Sequence, residues 1–329
     1  MADTMRAIVR PRYGKHDVIE LRDVEVPDVP DDLMLVRVRA AAVNPLDYRW
    51  LTGTPILSVR RGRGWLRPRQ IRLGVDYAGV VETAGRDITG YRPGDEVFGN
   101  SIGAFAEYVR ARQGGSVAHK PAGVSFEQAA AVPVAAVTAL QALRDHGKLQ
   151  PGQRVLVNGA AGGVGTFAIQ LAKVLGAAEV IGVCSTRNTD LVRSLGADHV
   201  IDYTREDVSG TGERYDVLVD NIGNWSWPQY RRLLAPGATL LMVGGQLPNP
   251  WVSARTKQRR IARAAERDGL TAITFRADVS EADLRVLAGL LESGEVRSVI
   301  DRRYRLEETA EAVRYLSQGH VSGKLIIIP

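Results

Sequence analysis

Val155-Leu-Val-Asn-Gly-Ala-Ala-Gly-Gly-Val-Gly165 runs directly into Thr166-Phe-Ala-Ile-Gln-Leu-Ala-Lys173. Val155 to Asn158 reads as a short apolar strand, and Val164 to Leu175 carries helical spacing. Gly159, Gly162 and Gly165 stand three residues apart at the junction. Glycines at such a turn let the backbone fold back tightly, approach a pyrophosphate and seat the helix close on the sheet. N–H groups at the helix start, at Gly162, Gly163 and Val164, then face the phosphates. The spacing is looser than G-x-G-x-x-G, so a plain tight turn is the alternative. The surrounding chain weighs against it.

Downstream, strands and helices alternate. Strands are expected at Val180 to Cys184, His199 to Asp202, Val217 to Asp220 and Thr239 to Val243, with helices at Thr189 to Leu195 and Trp227 to Leu234. That order implies an α/β fold, with a doubly wound parallel sheet of the Rossmann kind. Upstream, Met5 to Val9, Leu33 to Ala42, Tyr77 to Thr83 and Ala104 to Val109 are short apolar or alternating runs between turn residues, which predicts a β-rich, barrel-like domain. Helices at Glu281 to Ser293 and Leu306 to Ser317 and a strand at Lys324 to Ile328 end the chain.

The end of the second strand of the sheet bears on the cofactor. A carboxylate there would bind the ribose hydroxyls of NAD and repel the extra phosphate of NADP. This chain reads Cys184-Ser-Thr-Arg-Asn188, with no acid until Asp190. Ser185 and Thr186 offer hydroxyls and Arg187 a charge suited to phosphate, so NADPH is the expected cofactor. A solvated loop charge is the alternative for Arg187. The net charge of +6 over 329 residues suits an anionic ligand. Asn221 and Gly223 follow the fourth strand, and Gly244 and Gly245 the fifth, on the carboxyl edge where ligands of such sheets bind.

Composition bounds the rest. With 45% hydrophobic and 24% charged residues the chain has the make-up of a folded soluble protein. One cysteine, Cys184, makes no internal disulfide and fits a cytoplasmic setting. The start lacks a signal-peptide core, and the apolar run Ala129 to Leu140 is too short to span a membrane and contains Pro133. Arg60, Arg61, Arg63, Arg67, Arg69 and Arg72 crowd one loop around Trp65, and Arg255, Lys257, Arg259, Arg260 and Arg263 form a second basic cluster on an expected helix. Solvated surface explains both. The sharper reading makes the first loop a site that attracts an acidic substrate. A single aromatic among the arginines argues against nucleic acid as a partner.

Several segments in order resemble the zinc-independent quinone oxidoreductase branch of the medium-chain dehydrogenase/reductase family. They are Ala41-Ala-Val-Asn-Pro-Leu-Asp47, Leu73-Gly-Val-Asp-Tyr-Ala-Gly-Val-Val81, Arg92-Pro-Gly-Asp-Glu-Val-Phe-Gly99, Ala129 to Leu140, the glycine-rich turn, Gly196-Ala-Asp-His-Val-Ile-Asp-Tyr203 and Gly319-His-Val-Ser-Gly-Lys324. The resemblance implies a GroES-like catalytic domain over residues 1–126, a Rossmann dinucleotide-binding domain over 127–268 and a return segment, 269–329, that completes the catalytic domain. It implies hydride transfer from NADPH to a quinone or to the conjugated C=C of an α,β-unsaturated carbonyl, and a homodimer. A non-catalytic NADPH sensor, and a zinc-free carbonyl or enoyl-thioester reductase, are the other readings. In zinc-dependent members the metal is held at positions matching Asn44, Val75 and Val134 here; valine cannot coordinate zinc, so no metal is expected.

The same resemblance places Asn44 and Asp47 in a loop at the lip of the active site. There Asn44 would hydrogen-bond a substrate carbonyl, unless Asn44-Pro45 only shapes a turn. Tyr48 is a candidate proton donor, although the position matching the tyrosine of enoyl reductases is Pro45. Asp76 matches an acid beside the zinc of other members. Thr138 matches the residue that packs on the nicotinamide, and Tyr203 one that contacts the adenosine phosphate, unless it merely caps the sheet. Lys324 either reaches the site or ends the terminal strand.

Overall fold

The computed structural model describes residues 4–54, 67–69, 71–244 and 255–329. They form two units, residues 1–137 with 279–329, and residues 138–278. The expected boundaries at 126/127 and 268/269 fall earlier than these junctions. One reason is that the helix Phe126–Ala130 packs on strands of the first unit and stays with it.

The first unit starts with β1 (Thr4–Val9) and β2 (Glu20–Glu25), an antiparallel pair. β3 (Met34–Val43), β4 (Asp76–Ala84), β5 (Glu96–Asn100), β6 (Tyr108–Ala111) and β7 (Val117–His119) follow. The strand expected over 104–109 thus begins only at Tyr108. Its first residues bond elsewhere: Phe105 exchanges backbone bonds with Ile8 and Leu73, and the Glu107 N–H donates to the Arg6 carbonyl.

The second unit holds β8 (Arg154–Asn158), β9 (Glu179–Cys184), β10 (His199–Asp202), β11 (Tyr215–Asp220), β12 (Leu234–Met242) and β13 (Thr271–Ile273). All pair in parallel, in the order β10-β9-β8-β11-β12-β13. The order reverses direction beside β8, which creates the switch point where such sheets bind ligands. Val155, Leu156 and Val157 are fully enclosed, as a strand covered on both faces requires. Helices Gly163–Val174, Thr189–Ser194 and Trp227–Leu233 are the expected ones.

The chain then returns to the first unit as β14 (Ile300–Arg305) and β15 (Lys324–Ile328). β15 pairs antiparallel with β3, Leu325 opposite Val43 and Ile327 opposite Ala41, in a seven-stranded sheet. Leu325, Ile326 and Ile327 are buried, and Leu325 and Ile327 bind the returning segment to the core around Met34, Tyr77 and Phe105. No helix among the described residues is long and apolar enough to cross a membrane.

Candidate functional site

The expected loop after β3 is a helix, Pro45–Thr52. Asn44 is its extended cap residue, and Pro45 takes the first helical position, where a missing N–H costs nothing. Asp47, on the first turn, accepts the Asn44 N–H at 2.8 Å. Its carboxylate faces the positive end of the helix dipole and is only 1% exposed.

Three further residues close around this corner. The Asn44 Nδ2 donates to Asp76 Oδ2 at 2.9 Å and to the Ala42 carbonyl at 3.2 Å. The Lys324 Nζ donates to Asn44 Oδ1 at 2.6 Å and lies 3.7 Å from Asp76 Oδ2. Asp76 also accepts from Asn100 Nδ2 at 3.0 Å and from the Val134 N–H. One lysine therefore shares a buried corner with two carboxyl groups. Burial pushes the Asp47 carboxyl up to about 7, reinforced by Asp76 and opposed by the Asn44 N–H and Lys324. Burial likewise raises Asp76, against the pull of Lys324, and lowers Lys324. Asp47 Oδ1 is enclosed and has no hydrogen-bond partner among the described residues.

This geometry bears on the role expected of Asn44. The residue is 2% exposed, its amide hydrogens are engaged by Ala42 and Asp76, and its carbonyl oxygen is held by Lys324. In this arrangement both its amide hydrogens and its carbonyl oxygen serve to fix the corner. Asp47 is enclosed as well. Of the three residues expected there, Tyr48 alone is only half-buried, packed against the core of its unit. Lys324 both ends its approach at the site and begins the terminal strand. Asn44, Asp76 and Val134 do come together, while Val75 is a buried alkyl neighbour of Asp76. Among the described residues no group of three or more His, Cys, Asp or Glu is arranged to hold a metal ion.

In the second unit the glycines divide the work. A Cβ on Gly165 would lie 2.1 Å from the Gly159 carbonyl oxygen and 2.8 Å from the Ala160 backbone, so only glycine lets the helix seat there. Gly159 has a φ of 76°, in the left-handed region. Gly162 has nothing but the Gly159 oxygen, at 3.4 Å, near a would-be Cβ. It caps the helix Gly163–Val174 with no side-chain hydrogen bond. An open approach to uncapped N–H groups of Gly163 and Val164 suits a pyrophosphate.

At the ends of β9 and β10 stand Ser185, Thr186, Arg187 and Tyr203, the tyrosine 60% exposed. Between them lies a carboxylate that reading the end of β9 alone does not find. Asp202, opposite Cys184 in register, accepts from Thr186 Oγ1 at 2.5 Å, and from the Thr204 N–H and hydroxyl at 3.0 and 2.7 Å. Arg205 lies 3.4 Å away. The Thr186 bond, foremost among these, holds its pKa below the usual carboxylate range.

At the ends of β11 and β12, Asn221 Nδ2 donates to the Asn158 carbonyl at 2.9 Å, and a Cβ on Gly244 would collide with the Asn221 carbonyl. Thr138 is buried on the helix Pro133–Gln141. The expected basic helix is Arg255–Arg267; it exposes Lys257, Arg259, Arg260 and Arg263 and buries Ile261 and Ala265. Lys257 Nζ caps the Gly223 carbonyl at 2.7 Å and Gln258 that of Gly244 at 3.0 Å. Gly245, Arg60, Arg61, Arg63 and Trp65 lie outside the described residues.

Residues 195–327 match the family model described as zinc-binding dehydrogenase, and residues 30–122 that of the alcohol dehydrogenase GroES-like domain. The chain is 32% identical to the 2-methylene-furan-3-one reductase of Solanum lycopersicum, covering 99% of this chain and 79% of that protein. It is 32% identical to the chloroplastic NADPH-dependent alkenal/one oxidoreductase of Arabidopsis thaliana, over 99% of this chain and 80% of that one. The quinone oxidoreductase structure from Coxiella burnetii superposes with a TM-score of 0.87 at 30% identity, covering 99% of each chain.

Proposed function

The chain belongs to the medium-chain dehydrogenase/reductase superfamily, in its quinone oxidoreductase-like branch, and from that premise we propose that it transfers hydride from NADPH to a quinone or to the conjugated C=C of an α,β-unsaturated carbonyl. The observation that carries this reading is the glycine cradle: Gly165 pressed on the Gly159 carbonyl, beside the open, uncapped helix start at Gly162. Bound NADPH supplies the hydride. The helix-start N–H groups of Gly163 and Val164 bind the pyrophosphate. Ser185, Arg187 and Tyr203 take the ribose phosphate, and Thr138, Asn221 and Gly244 line the inner part of the cofactor site.

Conjugate reduction suits the groups this chain offers. Hydride enters at the carbon remote from the carbonyl, and the enolate oxygen then needs only a modest donor. We assign that donor to Tyr48, the candidate there that is not enclosed. Asn44 and Asp47 hold the helix that carries it. We propose that no zinc takes part, because Asn44, Val75 and Val134 offer one committed amide and two alkyl groups, a donor set that does not fit the metal.

The test is NADPH and NADH oxidation followed at 340 nm with a panel of quinones and enones, before and after chelation. Turnover that prefers NADPH, survives the chelator and yields a hydroquinone from a quinone, or a saturated product with its carbonyl intact from an enone, is the expected result. Loss of turnover on chelation, or an allylic alcohol as the product from an enone, sinks the reading. We also propose a homodimer formed through an edge of the six-stranded sheet, which a monomer mass in solution would exclude. The buried single thiol of Cys184 supports a reducing, cytoplasmic setting.

A further inference from the structure

A carboxylate at the adenosine edge of a parallel nucleotide-binding sheet ordinarily selects NADH. Its free lone pairs accept the ribose hydroxyls, and its charge repels the additional phosphate of NADPH. Reading the end of β9 alone finds no such group. In the folded chain one arrives from the neighbouring strand, because Asp202 pairs in register with Cys184 and the Thr186 hydroxyl draws its side chain to that edge.

We propose that Asp202 is a silenced NADH determinant, and that the hydroxyls of Thr186 and Thr204 are the specificity-determining groups that keep the protein selective for NADPH. A carboxylate has about four acceptor positions. Here one oxygen takes the Thr186 hydroxyl and the other takes both the Thr204 N–H and the Thr204 hydroxyl. Arg205 lies against the first oxygen and offsets its charge. The two threonine oxygens are themselves 2.9 Å apart, so the cluster is closed on its own members. A carboxylate held in this way neither accepts from a ribose nor presents an uncompensated charge to a phosphate. Tyr203, its chain neighbour, points out to 60% exposure, and Arg187 follows Thr186, which leaves the outward side of the edge to groups that suit phosphate. The inference rests on the NADPH reading above and refines it: the preference is set by who holds the acid rather than by the acid's absence.

Replacing both threonines by valine keeps their shape and deletes the two hydroxyl donors. The freed carboxylate of Thr186→Val/Thr204→Val then accepts ribose hydroxyls and repels phosphate. The ratio of NADPH to NADH affinity, each measured by fluorescence titration of the purified protein, is expected to fall by about tenfold or more. Adding Asp202→Asn to that double variant should restore the ratio, whereas Asp202→Asn in the wild-type background should leave it within about threefold, since the acid is already silent. A merely structural role for the threonines would lower both affinities together and would not be reversed by Asp202→Asn. Thr186→Val alone, which keeps both Thr204 bonds, carries the same sign at smaller size if the double variant fails to fold. An unchanged ratio in a folded valine variant of a protein that prefers NADPH overturns this proposal and leaves the NADPH reading intact. A wild type that prefers NADH, or binds neither dinucleotide, overturns both. A wild type that binds NADPH tightly but turns over no acceptor removes the proposed activity and leaves the role of the threonines standing on the affinity ratios.

Discussion

The Lys324 ammonium donates to the Asn44 side-chain carbonyl at 2.6 Å across 280 residues of sequence. The bond fixes which way the Asn44 amide faces, and so which of its atoms meets Asp76. Removing the lysine strands an asparagine oxygen and leaves the buried Asp76 without its cation. Breaking a buried pair from one side costs about 3–5 kcal/mol. Lys324→Met is therefore expected to lower the thermal midpoint of unfolding clearly, and Asp76→Asn added to it to recover part of the loss. Additive losses in calorimetry would show that the two residues are not coupled.

Asp47 predicts a pH dependence of stability with a definite sign. Its carboxyl is pushed up to about 7 in the folded protein from an ordinary value of 3.8. Between those values the folded state keeps the proton and the unfolded state has lost it. The stability that Asp47 contributes is thus fully present below about pH 4 and declines as pH rises toward 7, by at most about 1.4 kcal/mol per unit. Asp47→Asn, which still accepts from the Asn44 N–H, should flatten this decline. Identical profiles of unfolding midpoint against pH for variant and wild type would show that Asp47 is ionised in the fold.

Gly165 and Gly162 predict different outcomes for the same substitution. Gly165→Ala drives a Cβ into the Gly159 carbonyl, so both unfolding temperature and NADPH affinity should fall. At Gly162 the added carbon has an ordinary contact at 3.4 Å and no positive φ to violate. Gly162→Ala should therefore unfold like wild type yet bind NADPH about tenfold or more weakly, because the methyl occupies the approach of the pyrophosphate. Unchanged binding in Gly162→Ala would move the phosphates away from this helix start.

Tyr48→Phe separates proton donation from binding. Loss of a proton donor costs on the order of 10²-fold or more in turnover. The expected result is a fall of that size in kcat with enones and an unchanged NADPH affinity. Wild-type kcat in the variant would remove Tyr48 from the chemistry.

Much of the second unit was legible because its signals are local. Val155 to Val157 are apolar throughout, glycines mark the turn, and each crossover helix carries its own period. The strands β2 and β14 were not legible. Glu20-Leu-Arg-Asp-Val-Glu25 and Ile300-Asp-Arg-Arg-Tyr-Arg305 are mostly polar and become strands only through pairing with β1 and β15. The helix after β3 had a readable signal in Asn44-Pro45 with Asp47 on the first turn, a pattern that opens helices as readily as it makes turns. Asn44 and Asp47 could be named from sequence, but their burial could not, since the groups that enclose them come from β4, from near residue 134 and from β15. Asp202 is hidden for a related reason: the chemistry of one strand's end is supplied by the next strand.

The position of Lys324 on β15 also orders events while the chain is being made. Asn44, Asp47 and Asp76 leave the ribosome early, and residues 138–278 are synthesised before the lysine that joins those carboxyl groups exists. The second unit, closed on itself in sequence, has everything it needs to fold in the meantime, whereas the first must wait with its acids hydrated and the β3 edge that receives β15 uncovered. Folding of this protein during translation thus closes on its first unit, and a nascent chain that has released residues 138–278 but not yet Lys324 carries a nucleotide-binding unit able to fold together with an open sheet, the species most exposed to wrong pairing and to chaperone capture.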